Sequence, residues 1–330
     1  MKKILVTGAT GFIGSFIVSE ALRLGFDTWA AVRATSSRRY LQDERIHFVE
    51  LDLADEDRLV EQLRPYQFDY VVHAAGVTKC LDPETFFKVN RDGTIHLMHA
   101  ISRLAMPVKR IVYLSSLSVY GAIHEERPHQ AITLADTPQP NTAYGRSKWE
   151  AEQALAEMSL PIVTLRPTGV YGPRETDYYM MAKSIKGHVD FAVGYSQQDI
   201  TFVYVRDVVQ AVFLALDHGV VGKGYFLSDG LVYQSETFSN LIHKELGSPW
   251  WIRIKAPIWL LWCICNVCEA WSKWTGKMTA LNKDKFNILK QRNWRCDIKP
   301  AIDDLGFKPE YDLERGVKET ISWYKDNGWL

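Results

Sequence analysis

Short β-branched, apolar runs alternate with longer segments of helical period along the first 170 residues. Ile4-Leu5-Val6 reads as a strand, and a helix is predicted from near Gly11 to just before Gly25. Strands are predicted again at Thr28 to Val32, His47 to Leu51, Tyr70 to Val72 and Ile111 to Leu114. A helix over Tyr144 to Met158 then leads to a sixth strand at Ile162 to Leu165. These strands are apolar throughout instead of alternating, as strands buried on both faces must be. With helices between them they predict an α/β fold, a doubly wound parallel sheet with right-handed crossovers. Beyond about Tyr171 the pattern loosens into mixed helices and short strands. Thr201 to Val205 and the apolar helix Val208 to Leu216 read as a return to the sheet.

Composition narrows the classes. The chain has 330 residues, 47% of them apolar, enough to bury a sizeable core and too apolar for disorder. Lys plus Arg and Asp plus Glu both number 39, so there is no basic excess with which to hold nucleic acid. The five Cys are odd in number, with Cys263, Cys265 and Cys268 crowded together, which suits a reducing compartment better than a disulfide framework. That trio lacks the second ligand pair of a zinc site, so no metal is expected. The apolar start ends at Thr7-Gly8, too soon for a signal peptide, and the most apolar stretch, Pro257 to Cys268, is too short to span a bilayer. The expectation is a soluble, cytoplasmic chain acting on a small molecule.

The first strand runs into Thr7-Gly8-Ala9-Thr10-Gly11-Phe12-Ile13-Gly14, which opens the first helix. Gly8, Gly11 and Gly14 allow a tight turn, backbone approach to a pyrophosphate, and close helix–strand packing. The helix start at Phe12 and Ile13 then offers N–H groups and a partial positive charge to phosphates. This is the signature of a dinucleotide site in a Rossmann fold. At the end of the second strand a carboxylate would bind the adenosine ribose of NAD. The chain has Arg33 there instead, with Ser36, Ser37, Arg38 and Arg39 behind it. A guanidinium pairs with a phosphate, so NADP(H) is expected over NAD(H). Asp52 and Leu53, after the third strand, are placed to meet the adenine.

Tyr144-Gly145-Arg146-Ser147-Lys148 sets a phenol and an ammonium at i and i+4 on one helical face. A cation beside the phenol is expected to lower its pKa toward neutrality and make it an acid or base. Ser116, where the fifth strand ends, can hydrogen-bond a substrate oxygen whose charge changes during hydride transfer.

With these residues in view the chain resembles the extended short-chain dehydrogenase/reductase superfamily, the NAD-dependent epimerase/dehydratase family, over nearly its whole length. The matching pieces are the Gly8-x-x-Gly11-x-x-Gly14 loop, His73-Ala74-Ala75-Gly76, and Ser116 with Tyr144 and Lys148. Arg166-Pro167 through Val170-Tyr171-Gly172-Pro173, Phe202 to Asp207, and Asp297-x-Lys299 with Leu305-Gly306-Phe307-x-Pro309 also fit. The resemblance implies that Tyr144 is the general acid/base, that Lys148 also binds the nicotinamide ribose, and that Ser116 polarises the substrate oxygen. It implies cofactor contacts at Ala74, Ala75, Pro167 and Val170, and a homodimer built on the helices after the fourth and fifth strands. Residues 1–170, with the segment near 200–228 returning to them, would form the NAD(P)-binding domain. Residues 171–330 would form a smaller, mainly helical substrate domain.

Two positions separate branches of that family. Nucleotide-sugar members usually carry Asn where this chain has Gly169, and a diphosphate-binding Arg where it has Ile200. Losing such a charge-assisted pair costs about 1.5–3 kcal/mol. Both positions resemble the 3β-hydroxysteroid dehydrogenase and dihydroflavonol reductase-like branches. Arg174, Arg206 or Lys183 would be the alternative sources of a phosphate contact. Leu117 and Ser118 stand where dehydratases place an acidic pair, which disfavours elimination. The expected activity is therefore interconversion of a secondary alcohol and a ketone on a fairly apolar, steroid-like substrate. The alternatives are a nucleotide-sugar epimerase and a non-catalytic dinucleotide sensor, the latter having no need of Ser116, Tyr144 and Lys148 together.

Eleven Trp is unusual, and Trp250, Trp251, Trp259, Trp262, Trp271 and Trp274 fall in one stretch. The helix predicted after Pro257 is apolar all round. Such a helix is buried in a core, walls an active site, or touches a membrane surface. The core is the leading expectation. Arg253, Lys255, Lys273 and Lys277 flank the run in a way that permits the membrane contact.

Overall fold

Seven strands pair in parallel at the centre of the chain, in a computed structural model that describes residues 1–276, 279 and 282–330. Six come from the first half: β1 (Lys3–Thr7), β2 (Asp27–Val32), β3 (His47–Glu50), β4 (Tyr70–His73), β5 (Arg110–Leu114) and β6 (Ile162–Pro167). Three small two-stranded sheets lie outside them. They pair β7 (Gly169–Tyr171) with β10 (Phe202–Tyr204), β8 (Val189–Val193) with β13 (Ile252–Ala256), and β9 (Asp199–Ile200) with β12 (Tyr233–Gln234). The seventh central strand is β11 (Gly224–Leu227), giving the order β3-β2-β1-β4-β5-β6-β11.

Helices α1 (Phe12–Arg23), α2 (Glu56–Leu63) and the short α3 (Glu84–Phe86) precede a π-helical turn, Phe87–Asp92, that runs into α4 (Gly93–Arg103). Then follow α5 (Ala143–Ala156), α6 (Asp177–Lys186), α7 (Val205–His218) and α8 (Thr237–Glu245). The last four are α9 (Ile258–Thr275), α10 (Lys283–Lys290), α11 (Lys299–Leu305) and α12 (Leu313–Asp326). One face of the sheet is covered by α1, α7 and α11, with Ile17, Val18, Val208, Val212 and Leu305 in that core. The other is covered by α2, α4 and α5, through Leu59, Leu63, Leu97, Ile101, Ala151 and Leu155. Both faces are therefore dry, which is why the strands carry no polar alternation. The strand order reverses between β1 and β4, and ligands of doubly wound sheets bind at that switch point, beyond the carboxyl ends of the strands.

The predicted return to the sheet needs one correction. Phe202–Tyr204 pairs with β7, off the central sheet, and it is β11 that joins beside β6. The three-residue β10 turns straight into α7 at Val205, so only the chain beyond that helix can reach the sheet edge.

The Trp-rich helix also departs from expectation. Leu261, Cys265 and Ser272 form a single inward line on α9, and nothing among the described residues covers its other side. Trp259 is 68% exposed and Trp274 78%, with Trp262, Val267 and Trp271 exposed between them. A helix touching its neighbours along one line buries one line, however apolar its remaining faces. It is not a core helix. Of the flanking cations, Arg253 turns inward to Asp190 and Glu236, and Lys255 pairs with Glu236. Lys277 and the Lys273 side chain lie outside what is described. Among the described residues no helix is long and apolar enough to cross a membrane, and no cluster of His, Cys, Asp and Glu is placed to hold a metal.

Candidate active site

The Gly loop leaves β1 at the switch point. Gly8 has φ +67°, and a Cβ on it would stand 2.5 Å from the Ala74 carbonyl oxygen. A Cβ on Gly14 would stand 2.1 Å from the Gly8 carbonyl oxygen. Both positions exclude any side chain. Gly11 caps α1 without a side-chain hydrogen bond, so no side chain of the cap competes for the first N–H groups of that helix, at Phe12 and Ile13. A bare helix N-terminus beside a packed glycine turn fits a pyrophosphate. Arg174, held at φ +75° between the Phe16 and Tyr40 rings, donates to Ser15 Oγ at 2.8 Å beside that turn.

Ala74 and Ala75 follow β4 on the other side of the loop, their N–H groups donating to the Thr7 carbonyl and to Thr7 Oγ1. Beneath them His73 lies fully buried between Thr7 Oγ1 (2.7 Å) and Thr94 Oγ1 (2.8 Å). The Thr94 hydroxyl donates to the Asn90 carbonyl, so the network assigns the ring proton to Nε2 and the acceptor to Nδ1. Burial, helped by the Lys148 charge, pushes the imidazole down to about 3. His73 is thus a neutral structural pin.

Arg33 follows β2 on the surface, its N–H bonded to Ser36 Oγ, and it forms no ion pair among the described residues. Arg38 instead covers the Phe48 ring at 4.1 Å, and Arg39 lies over Tyr40. Asp52 ends the β3 side of the same edge and pairs with Arg58 at 3.0 Å, while the Leu53 carbonyl bonds His96. Pro167 closes β6 in the interior, and Val170 lies in β7 beside Val203.

Ser116, Tyr144 and Lys148 meet at the carboxyl end of β5. The Ser116 hydroxyl accepts from the Ser118 N–H. Burial raises the Tyr144 phenol above its ordinary value, and the Ser116 hydroxyl beside it opposes that rise. The expected agent was Lys148, but its Nζ donates to the Leu114 carbonyl at 2.9 Å and lies 4.8 Å over the Tyr113 ring. Being almost wholly buried, its ammonium is itself pushed down to about 8, with the Glu152 carboxylate opposing. Glu152 in turn is held by a forked pair with Arg166 at 2.6 Å.

Tyr144 lines a cleft of about 250 Å³ with Leu81, Phe86, Ile288 and, from α9, Glu269 and Ser272. Asp177 at its edge binds both Lys79 and Lys285. The two positions used to separate branches lie near this half. A Cβ at Gly169 would come within 3.0 Å of the Tyr178 hydroxyl and 3.3 Å of the Phe202 ring. Ile200, in β9, packs into the aromatic cluster of Tyr171, Phe202 and Phe238. Arg206 is paired with Glu319 at 2.7 Å, while Arg174 donates to the neutral Ser15 hydroxyl beside the glycine turn and forms no ion pair among the described residues.

A family model, the NAD dependent epimerase/dehydratase family, matches residues 4–227. The chain belongs to that family. Similar curated proteins include the UDP-glucose 4-epimerase of Vibrio cholerae, 26% identical, covering 97% of this chain and 94% of that one. The decarboxylating sterol-4-alpha-carboxylate 3-dehydrogenase of Candida albicans is 24% identical and covers 99% of both chains. Among solved structures, UDP-glucuronic acid 4-epimerase from Bacillus cereus in complex with NAD superposes with a TM-score of 0.74 at 21% identity, over 98% of this chain and 99% of that one. As an epimerase/dehydratase family member this is an NAD-dependent oxidoreductase of the extended short-chain dehydrogenase/reductase type.

Two residues escaped the sequence reading. Asn90 is buried in the π-helical turn, where its amide clamps Val77 and Ser147. An Asn at the centre of an otherwise helical run was the available signal. Asp284 gave none, because its partners are 140 or more residues away.

Proposed function

We propose that this chain interconverts a secondary alcohol and a ketone on a fairly apolar, cyclic substrate, with Tyr144 as the general acid/base. The observation that carries the reading is Gly169. An Asn at that position would set its Cβ 3.0 Å from the Tyr178 hydroxyl and 3.3 Å from the Phe202 ring, tighter than ordinary contacts. Ile200, apolar and packed, supports the same branch, since it offers a diphosphate no charge.

The nicotinamide would supply or accept the hydride at its C4. Gly8, Gly11, Phe12, Ile13 and Gly14 would hold its pyrophosphate. Ala74, Ala75, Asp52, Leu53, Pro167 and Val170 would line the rest of the groove. Tyr144 gives its proton to the carbonyl oxygen during reduction and takes it back from the alcohol during oxidation. Ser116 donates to the same oxygen while its charge grows, where a preformed donor is worth most. Lys148, fixed by the Leu114 carbonyl, offers its remaining N–H groups to the ribose. In this scheme residues 1–170 and the segment 200–228 hold the cofactor, and residues 171–330 mainly the substrate. Arg33 favours NADP(H), and a homodimer through α4 and α5 is the proposed assembly.

A second reading, a nucleotide-sugar epimerase, draws on Lys79 and Lys285, the two cations at the cleft edge. Oxidation of NADPH and NADH is followed against two panels, apolar cyclic ketones and nucleotide-linked keto-sugars. Turnover of the ketones is expected. Turnover of the sugars alone would replace the first reading with the second, and full activity in Tyr144→Phe would remove Tyr144 from both.

A further inference from the structure

The first turn of α5 exposes three N–H groups that no helical carbonyl can take, those of Ala143, Tyr144 and Gly145. Thr142, the residue before the helix, accepts only the last, through Oγ1 at 2.9 Å. The other two are taken from far along the chain. Asp284 Oδ2 accepts from the Ala143 N–H at 2.8 Å and from the Tyr144 N–H at 3.3 Å. Its neighbour Asn287 donates from Nδ2 to the Asn141 carbonyl at 2.9 Å, so α10 grips both sides of the helix start. A carboxylate at this end also meets the positive pole of the α5 dipole.

The same short helix faces the cleft. Asn282, Asp284, Lys285 and Ile288 all line it, and Lys285 reaches Asp177 at the start of α6 at 3.4 Å. A molecule seated in the cleft therefore presses on the element whose carboxylate holds the backbone of Tyr144. A helix terminus clamped on all three free donors cannot shift without breaking one of them.

We propose that Asp284 is a positioning residue for Tyr144: from α10 it fixes the first turn of α5 and couples occupancy of the cleft to the placing of the phenol. The inference rests on the reading of Tyr144 as the acid/base, and it holds for a ketone or a nucleotide sugar alike. Asp284 touches no reacting atom. It acts through the peptide groups of Ala143 and Tyr144. Small misplacements of a reacting group cost a great deal of rate, up to about a hundredfold for 1 Å.

The test compares the full-length wild type with Asp284→Ala and Asp284→Asn. Turnover uses whichever compound of the two panels the wild type accepts, and binding of NADPH and NADH is titrated separately. Asp284→Ala is expected to lower kcat about tenfold or more, with the cofactor Kd and the fraction of protein that binds cofactor unchanged. Asp284→Asn keeps an acceptor oxygen and is expected to recover most of that loss. Hydrogen exchange of the segment 143–145 should speed up in the Ala variant and much less in the Asn variant. A kcat within twofold of wild type in Asp284→Ala overturns the proposal. So does a kcat that falls only in parallel with the cofactor-binding fraction, which is the mark of a merely structural role. If the wild type turns over neither panel, it is the substrate reading that has failed. The exchange rates then decide alone, and unchanged exchange in Asp284→Ala overturns the capping.

Discussion

Lys148 Nζ donates a 2.9 Å hydrogen bond to the carbonyl of Leu114, the last residue of β5. The contact ties the ammonium to the carboxyl end of β5. Burial makes the charge costly, which is why the group titrates at about 8. Between pH 8 and the ordinary lysine range the unfolded chain holds a proton that the folded chain has released. Stability from this group therefore grows across that window and is lacking below pH 8. Lys148→Met is expected to abolish turnover yet unfold at a free energy about 2 kcal/mol higher than wild type at pH 7. That advantage should fade toward pH 10.5. Urea titrations at pH 7, 9 and 10 measure it, and a variant less stable than wild type at all three values would contradict it.

His73 works in the acid range. Its folded value of about 3 lies below the ordinary value of 6.5, so its contribution is complete above 6.5 and is lost as the pH falls toward 3. Wild type is expected to lose about 1.4 kcal/mol per pH unit through this group within that window. A His73→Gln variant, less stable at neutral pH, should show a correspondingly shallower slope between pH 6 and 4. Equal slopes would mean that the imidazole is not held neutral.

Gly169→Asn places a side chain against Tyr178. Overpacking of this kind costs about 1–3 kcal/mol, and the ketone activity should fall with it. Tyr178→Phe removes the atom met first, the hydroxyl 3.0 Å away. The double variant should regain part of the lost thermal stability, and a pair of strictly additive losses would show that the two positions do not meet.

Arg33→Ala addresses the cofactor. Its guanidinium has no ion-pair partner among the described residues and is held beside the end of β2 only by its backbone. NADPH should bind wild type more tightly than NADH, and the substitution should weaken NADPH by about tenfold while leaving NADH almost unchanged, as expected for a charge-assisted phosphate pair. Tighter binding of NADH by wild type, with no effect of the substitution, would refute the preference.

What was legible in the sequence was whatever nearest neighbours decide. The six apolar strands, the Gly8-Gly11-Gly14 turn and the Tyr144–Lys148 helix all form where their periods and breakers put them, with several boundaries shifted by a residue or two, as at Gly11, Met158 and Pro167. The i, i+4 spacing correctly put Tyr144 and Lys148 on one helix, yet it could not show which carbonyl the ammonium would choose. That choice depends on β5, thirty-four residues earlier. Asp284 was illegible for the same reason, since it caps a helix that begins more than a hundred residues before it. The exposure of α9 was misjudged because composition reports how apolar a helix is and not how many neighbours the fold will give it.

That exposed helix makes the protein its own fluorophore-labelled sensor. Trp259, Trp262, Trp271 and Trp274 emit from the solvent side of α9, while Glu269 and Ser272 of the same helix line the cleft. Excitation of the wild type should therefore give a strongly red-shifted spectrum that iodide quenches. Trp271 and Trp274 flank Ser272 in the chain, so a ligand seated beside Tyr144 is expected to change the emission with no added dye and no turnover.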